Sequence, residues 1–101
     1  HYMVAEFGGN DIKCAKYATF GTSKLANNVL KVIKDRNGCL ISNHGQLTIA
    51  NNLNNALNLA VSLEKISKQY FFCRLLKGTK TLSSKEMIKV LELFKDYKVK
   101  H

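Results

Sequence analysis

The spacing of apolar residues changes period several times along the chain, and each change marks a new element. Tyr2-Met3-Val4-Ala5-Glu6-Phe7 favours extended backbone, and Gly8-Gly9-Asn10-Asp11 behind it has turn chemistry, which predicts a short strand over 2–7. A second extended stretch follows at about 12–17. Leu25, Ala26, Val29, Leu30 and Ile33 then recur at helical spacing after Thr22 or Ser23, either of which can cap, and Gly38 is the expected stop. Cys39-Leu40-Ile41-Ser42 and Leu47-Thr48-Ile49-Ala50 are two β-like runs around Asn43-His44-Gly45-Gln46, the pattern of strand, tight connection, strand.

From Asn51 or Asn52 a long helix is predicted through about Lys77. Its stripe of Leu53, Ala56, Leu57, Ala60, Leu63, Ile66, Tyr70 and Cys73 is expected to be buried, and Gly78 ends it. Ser83-Ser84-Lys85-Glu86 is a capping box for a last helix with Met87, Val90, Leu91 and Phe94 inward, followed by a polar tail from Asp96 to His101. Four short strands are too few to cover these helices. Part of the sheet is expected to be missing, with apolar surface left open to self-association or to a layer from another chain.

Composition narrows the classes. The 101 residues make one domain or part of one, with no apolar run approaching the roughly 20 residues that span a bilayer. No basic-then-apolar leader is visible, and the absence of Met at position 1 points to an excised segment. Cys14, Cys39 and Cys73 are odd in number and widely spaced, as expected for reduced thiols of a cytoplasmic protein. The net charge is +9, but all of the basic residues except Arg36 and Arg74 are lysines spread over every segment. A nucleic-acid footprint would cluster them or interleave them with stacking aromatics, so a solvated basic surface is expected and nucleic acid is not a partner.

Few residues offer chemistry. His44, between two β runs and before Gly45, is placed to present an imidazole to a divalent metal, although these residues alone favour an ordinary turn histidine. One histidine does not make a zinc site, which needs about three protein ligands. His1 and His101 lie at the ends and are poor ligand candidates. Tyr2 and Tyr97 can donate a phenolic proton or simply pack, and no two carboxylates are spaced for acid/base work.

Taken together, His1-Tyr2-Met3, Gly8-Gly9-Asn10, Tyr17-Ala18-Thr19-Phe20-Gly21-Thr22, Asn43-His44-Gly45, Asn52-Leu53, Ala56-Leu57 and Phe94-Lys95-x-Tyr97 resemble the class II aldolase and adducin-head family, essentially from Tyr2 to Tyr97. The resemblance implies a layered α/β/α domain with a mostly antiparallel sheet, of which residues 1–101 are the C-terminal half. It further implies a zinc-dependent aldolase that cleaves a sugar 1-phosphate to dihydroxyacetone phosphate and an aldehyde, commonly as a tetramer with sites between subunits. By the same resemblance His44 is a zinc ligand, Tyr2 the proton donor, Phe20 a wall of the aldehyde pocket and Tyr97 an aromatic closing over the site. The other ligands, the catalytic carboxylate and the phosphate loop belong to the preceding half, so this segment alone is expected to be inactive. A non-catalytic adducin-like interaction domain is the alternative. Lys13 and Lys16 stand where the family often has Pro, which puts the shape of that stretch in question, and Asn43 replaces a second His.

Overall fold

The structure, a computed structural model, describes residues 1–100 with side chains through Tyr97; His101 lies outside the described residues. The chain opens with a 3-10 helix (Tyr2–Phe7), then β1 (Cys14–Ala15), α1 (Ser23–Ile33), β2 (Gly38–Ile41), β3 (Gly45–Thr48), α2 (Leu53–Leu75) and α3 (Ser84–Lys100).

The predicted strand over 2–7 is therefore a helix. Local propensity loses here to end chemistry: His1 Nδ1 accepts the Met3 N–H at 3.0 Å, and Gly8 closes the last turn in a left-handed conformation at φ 90°, its N–H bonded to the Ala5 carbonyl at 3.1 Å. The second extended stretch shrinks to two paired residues. Where Gly38 was expected to stop α1, the chain already leaves the helix at Lys34 and turns through Asp35 at φ 59°. Gly38 instead begins β2. α3 continues through Asp96 to Lys100, so the polar tail is helical as far as Lys100.

Helix starts follow the sequence closely. Thr22 Oγ1 accepts the Leu25 N–H at 3.3 Å, Asn52 Oδ1 the Asn55 N–H at 2.8 Å and Ser83 Oγ the Glu86 N–H at 3.1 Å, each satisfying an amide that the helix itself leaves free.

The sheet has order β1-β2-β3, with β1 parallel and β2–β3 antiparallel. It is thus small and mixed, with the antiparallel pair the longer. From β3, Thr48 Oγ1 donates to the Ala56 carbonyl at 2.9 Å and Gln46 Nε2 to the Ala60 carbonyl at 3.1 Å, so α2 covers the face that also bears Gly38 and Leu40. The Gln46 Oε1 beside them is buried with no partner among the described residues. Phe7 enters the same layer against Gly38, and α3 packs mainly on the 3-10 helix. On the other face α1 contacts β1 and β2, burying Ala15 while its neighbour Cys14 stays exposed. The layers are those expected for α/β/α, with Phe7, Leu63 and Cys39 fully buried at their centre.

The predicted α2 stripe is only partly covered. Ala60 and Ile66 are half-buried and Leu63 is fully inside, but Leu53, Leu57, Tyr70 and Cys73 are exposed. The 23 residues of α2 measure about 35 Å, whereas four-residue β3 measures about 13 Å, so the sheet can cover only a fraction of the helix. Among the described residues no helix is long and apolar enough to cross a membrane.

Candidate functional site

His44 occupies the turn between β2 and β3. Its N–H donates to the Ile41 carbonyl at 3.0 Å, and Asn43 before it takes a positive φ of 56°, a conformation Asn tolerates better than most residues. Asn43 Oδ1 in turn accepts the Ser42 hydroxyl at 3.0 Å, while the Ser42 N–H bonds to the Ala15 carbonyl on β1, also at 3.0 Å. The backbone under the imidazole is thus tied to two strands, and the residue itself is exposed. A ring held on a rigid hairpin and open to solvent is available as a ligand.

Tyr2 and Tyr97 meet elsewhere, on the face formed by the 3-10 helix and α3. Phe94 stands between them, its ring centroid 6.5 Å from that of Tyr2 and 5.9 Å from that of Tyr97, and His1 stacks on Tyr2 at 4.7 Å. Tyr2 is 49% exposed and Phe20, in the loop before α1, is 80% exposed. Both are thus open to solvent at the surface of this chain, Tyr2 in part and Phe20 almost wholly.

Next to this aromatic face lies an open cavity of about 580 Å³, bounded by α2, α3 and the end of β3. Tyr97 and Phe94 line it, but Tyr2, Phe20 and His44 do not. The structure therefore brings Tyr2 and Tyr97 together through Phe94 and leaves His44 and Phe20 apart from the cavity. Among the described residues, no three His, Cys, Asp or Glu side chains come close enough together to hold a metal ion.

Two features escaped the sequence reading. Phe94 was expected only as a core residue, yet it links the two tyrosines. Asn55 and Asn58 carried no expectation and Asn51 only that of a helix start, yet with Asn37 and Glu6 they form the polar lining of the cavity. The spacing of Asn55 and Asn58, three residues apart on one face of α2, was the available signal.

Arg36 fixes the loop that joins the 3-10 helix to β1. Its Nε and Nη2 donate to Asp11 Oδ1 at 3.2 and 2.9 Å, its Nη1 to the Asp35 carbonyl at 3.1 Å, and the guanidinium lies over Gly9, where a Cβ would collide with it. Asn37 ties three segments: its N–H bonds to the Phe7 carbonyl at 2.9 Å, its Nδ2 to the Glu6 carbonyl at 3.3 Å, and its carbonyl accepts the Ile49 N–H at 2.8 Å.

The family model of the class II aldolase and adducin N-terminal domain matches residues 1–71. The chain is 42% identical over 97 residues to a 5-methylthioribulose-1-phosphate/5-deoxyribulose-1-phosphate aldolase of Rhodospirillum rubrum, covering 96% of this chain and 44% of the relative. To the L-fuculose phosphate aldolase of Escherichia coli K12 it is 41% identical over 98 residues, covering 96% of this chain and 46% of that protein. A solved L-fuculose 1-phosphate aldolase superimposes with a TM-score of 0.88 at 39% identity, over 94% of this chain and 44% of the other. The chain spans less than half the length of these relatives. With the family model matched over most of its length and the fold shared, the chain belongs to the class II aldolase and adducin N-terminal domain family.

Proposed function

We propose that this segment is the C-terminal half of a single class II aldolase-like domain, and that the whole protein cleaves a sugar 1-phosphate of the fuculose 1-phosphate type to dihydroxyacetone phosphate and an aldehyde. The observation that carries the reading is the pinned, exposed His44 turn in a chain 42% identical to a sugar-phosphate aldolase.

Zinc is the metal this reading implies. Among the described residues the donors do not make a site by themselves, and His44 fits as one ligand only, the others coming from residues outside the segment. When bound, zinc supplies Lewis acidity toward the ketose oxygens. This chain's own contribution is to hold one imidazole still, to offer the Tyr2 phenol as the group that exchanges a proton with the aldehyde oxygen, and to wall the aldehyde with Phe20 and Tyr97. The outward exposure of Tyr2 and Phe20 suits residues that serve the site of a neighbouring subunit in a homotetramer. Three free thiols, Cys14, Cys39 and Cys73, suit a cytoplasmic location.

The test is the whole protein, purified and assayed with fuculose 1-phosphate, 5-deoxyribulose 1-phosphate and 5-methylthioribulose 1-phosphate. Cleavage that releases dihydroxyacetone phosphate and is lost on chelation and in His44→Ala is expected. A folded protein that holds no metal and cleaves none of the three would overturn the reading in favour of an adducin-like interaction role.

A further inference from the structure

His1 and Tyr2 are neighbours in sequence, yet their rings are stacked, with centroids 4.7 Å apart and planes 28° from parallel. Consecutive side chains on a helix diverge, so two residues of one helix do not meet in this way. These two meet because His1 stands outside the 3-10 helix as its N-cap. Its Nδ1 accepts the Met3 N–H at 3.0 Å, an amide in the first turn that the helix leaves without a partner, and the bond turns the imidazole back over the helix start. Accepting that bond requires an unprotonated Nδ1, so the ring is held as the neutral tautomer with its proton on Nε2.

The stack bears on the phenol beside it. A group that exchanges a proton must stand within hydrogen-bond reach of the reacting oxygen. Among the described residues no hydrogen bond holds the Tyr2 hydroxyl, and the side chain is half exposed, so its direction is set by packing. Phe94 packs on it only at 6.5 Å and tilted by 55°, near the far end of the range for ring pairs. His1 is the closer of these two rings, and it is anchored to the backbone of the helix that carries Tyr2.

We propose that the His1 imidazole is a positioning residue for the Tyr2 phenol: fixed on the Met3 N–H and stacked on the Tyr2 ring, it narrows the directions in which the hydroxyl can point. The inference rests on the proton-donating role proposed above for Tyr2, and it gives His1 no contact with substrate or metal.

The test is a double-mutant cycle on the whole protein, assayed with the one of the three sugar phosphates named above that the wild type cleaves fastest. His1→Ala should lower kcat by about tenfold with little change in KM, a smaller loss than in Tyr2→Phe because the hydroxyl is misdirected and not removed. In the Tyr2→Phe background, where no hydroxyl remains to be aimed, His1→Ala should change kcat by less than about twofold. His1→Asn separates the two contacts of the ring, since a carboxamide can cap but cannot stack. It should return the hydrogen-exchange protection of the Met3 amide that His1→Ala loses, while kcat stays low. His1 is exposed, so these variants should keep their fold, checked by thermal melts. The proposal is overturned if His1→Ala leaves kcat unchanged, lowers it equally in both backgrounds or acts through KM, or if His1→Asn restores kcat. An unchanged kcat in Tyr2→Phe alone, or a wild type that cleaves none of the three, overturns the role of Tyr2 and this proposal with it, and is told apart because it shows without any change at His1.

Discussion

Phe7 lies so close to Gly38 that a Cβ at position 38 would stand 2.8 Å from its ring Cδ1 and 3.2 Å from the Leu47 carbonyl oxygen. The aromatic ring that roots the 3-10 helix and the first residue of β2 therefore share one space, and the missing side chain of glycine is what makes room. Gly38→Ala overpacks this contact and is expected to destabilise by about 1–3 kcal/mol, read as a lower midpoint in urea with an unchanged slope. Phe7→Leu in the Gly38→Ala background should recover part of the loss.

The Arg36–Asp11 pair predicts a coupled result. Asp11 is half exposed, so the pair is worth about 1 kcal/mol or less and weakens with salt. Gly9→Ala would push the guanidinium off its seat. Its cost should approximate that of Arg36→Ala, and the two together should cost little more than either alone, measured as a double-mutant cycle.

Caps give a third expectation. Asn52→Ala removes the acceptor for the Asn55 N–H at the start of α2 and should cost about 1 kcal/mol, whereas Asn54→Ala, two residues on and without such a bond, should be close to neutral. Thermal melts of both variants check this.

Burial, and secondarily the nearby Cys14, pushes the Cys39 thiol above the ordinary value of 9.0. A raised acid binds its proton longer in the folded chain than in the unfolded one. Its contribution is fully present below the ordinary value and is lost as the pH climbs past it, so the stability of wild type should fall more steeply there than that of Cys39→Ala. At neutral pH iodoacetamide should label exposed Cys14 and Cys73 well before Cys39, as mass spectrometry would read.

For the proposed reaction, Tyr2→Phe in the whole protein should lower kcat by about 10²–10⁴ with little change in KM, the effect of losing a positioned proton donor. An unchanged kcat would remove Tyr2 from that role.

Helix positions were legible because their signals are local. Thr22, Asn52 and Ser83 each cap where the side-chain chemistry said they would, and the β2–His44–β3 hairpin follows from two β runs around a turn. What failed depended on distant partners. Residues 2–7 have strand-like composition, but the Glu6 and Phe7 carbonyls are claimed by Asn37, thirty residues away, and the Ala5 carbonyl by Gly8, rather than by a strand. The exposed positions of α2 could not be separated from its buried ones without knowing how short β3 is. His44 and the two tyrosines stand out in the sequence as groups able to do chemistry, and the roles proposed for them come from resemblance to a family. The asparagine lining was hidden because nothing local in the sequence says that α2 and α3 leave a gap between them.

The triple tie at Asn37 has a mechanical corollary. The 3-10 helix that bears Tyr2 and the foot of the hairpin that bears His44 are fastened to each other through the amide, the carboxamide and the carbonyl of this one residue. In the proposed reaction, a change of distance between the Tyr2 phenol and the His44 imidazole would then come from rotation about side-chain bonds more readily than from bending across this tie.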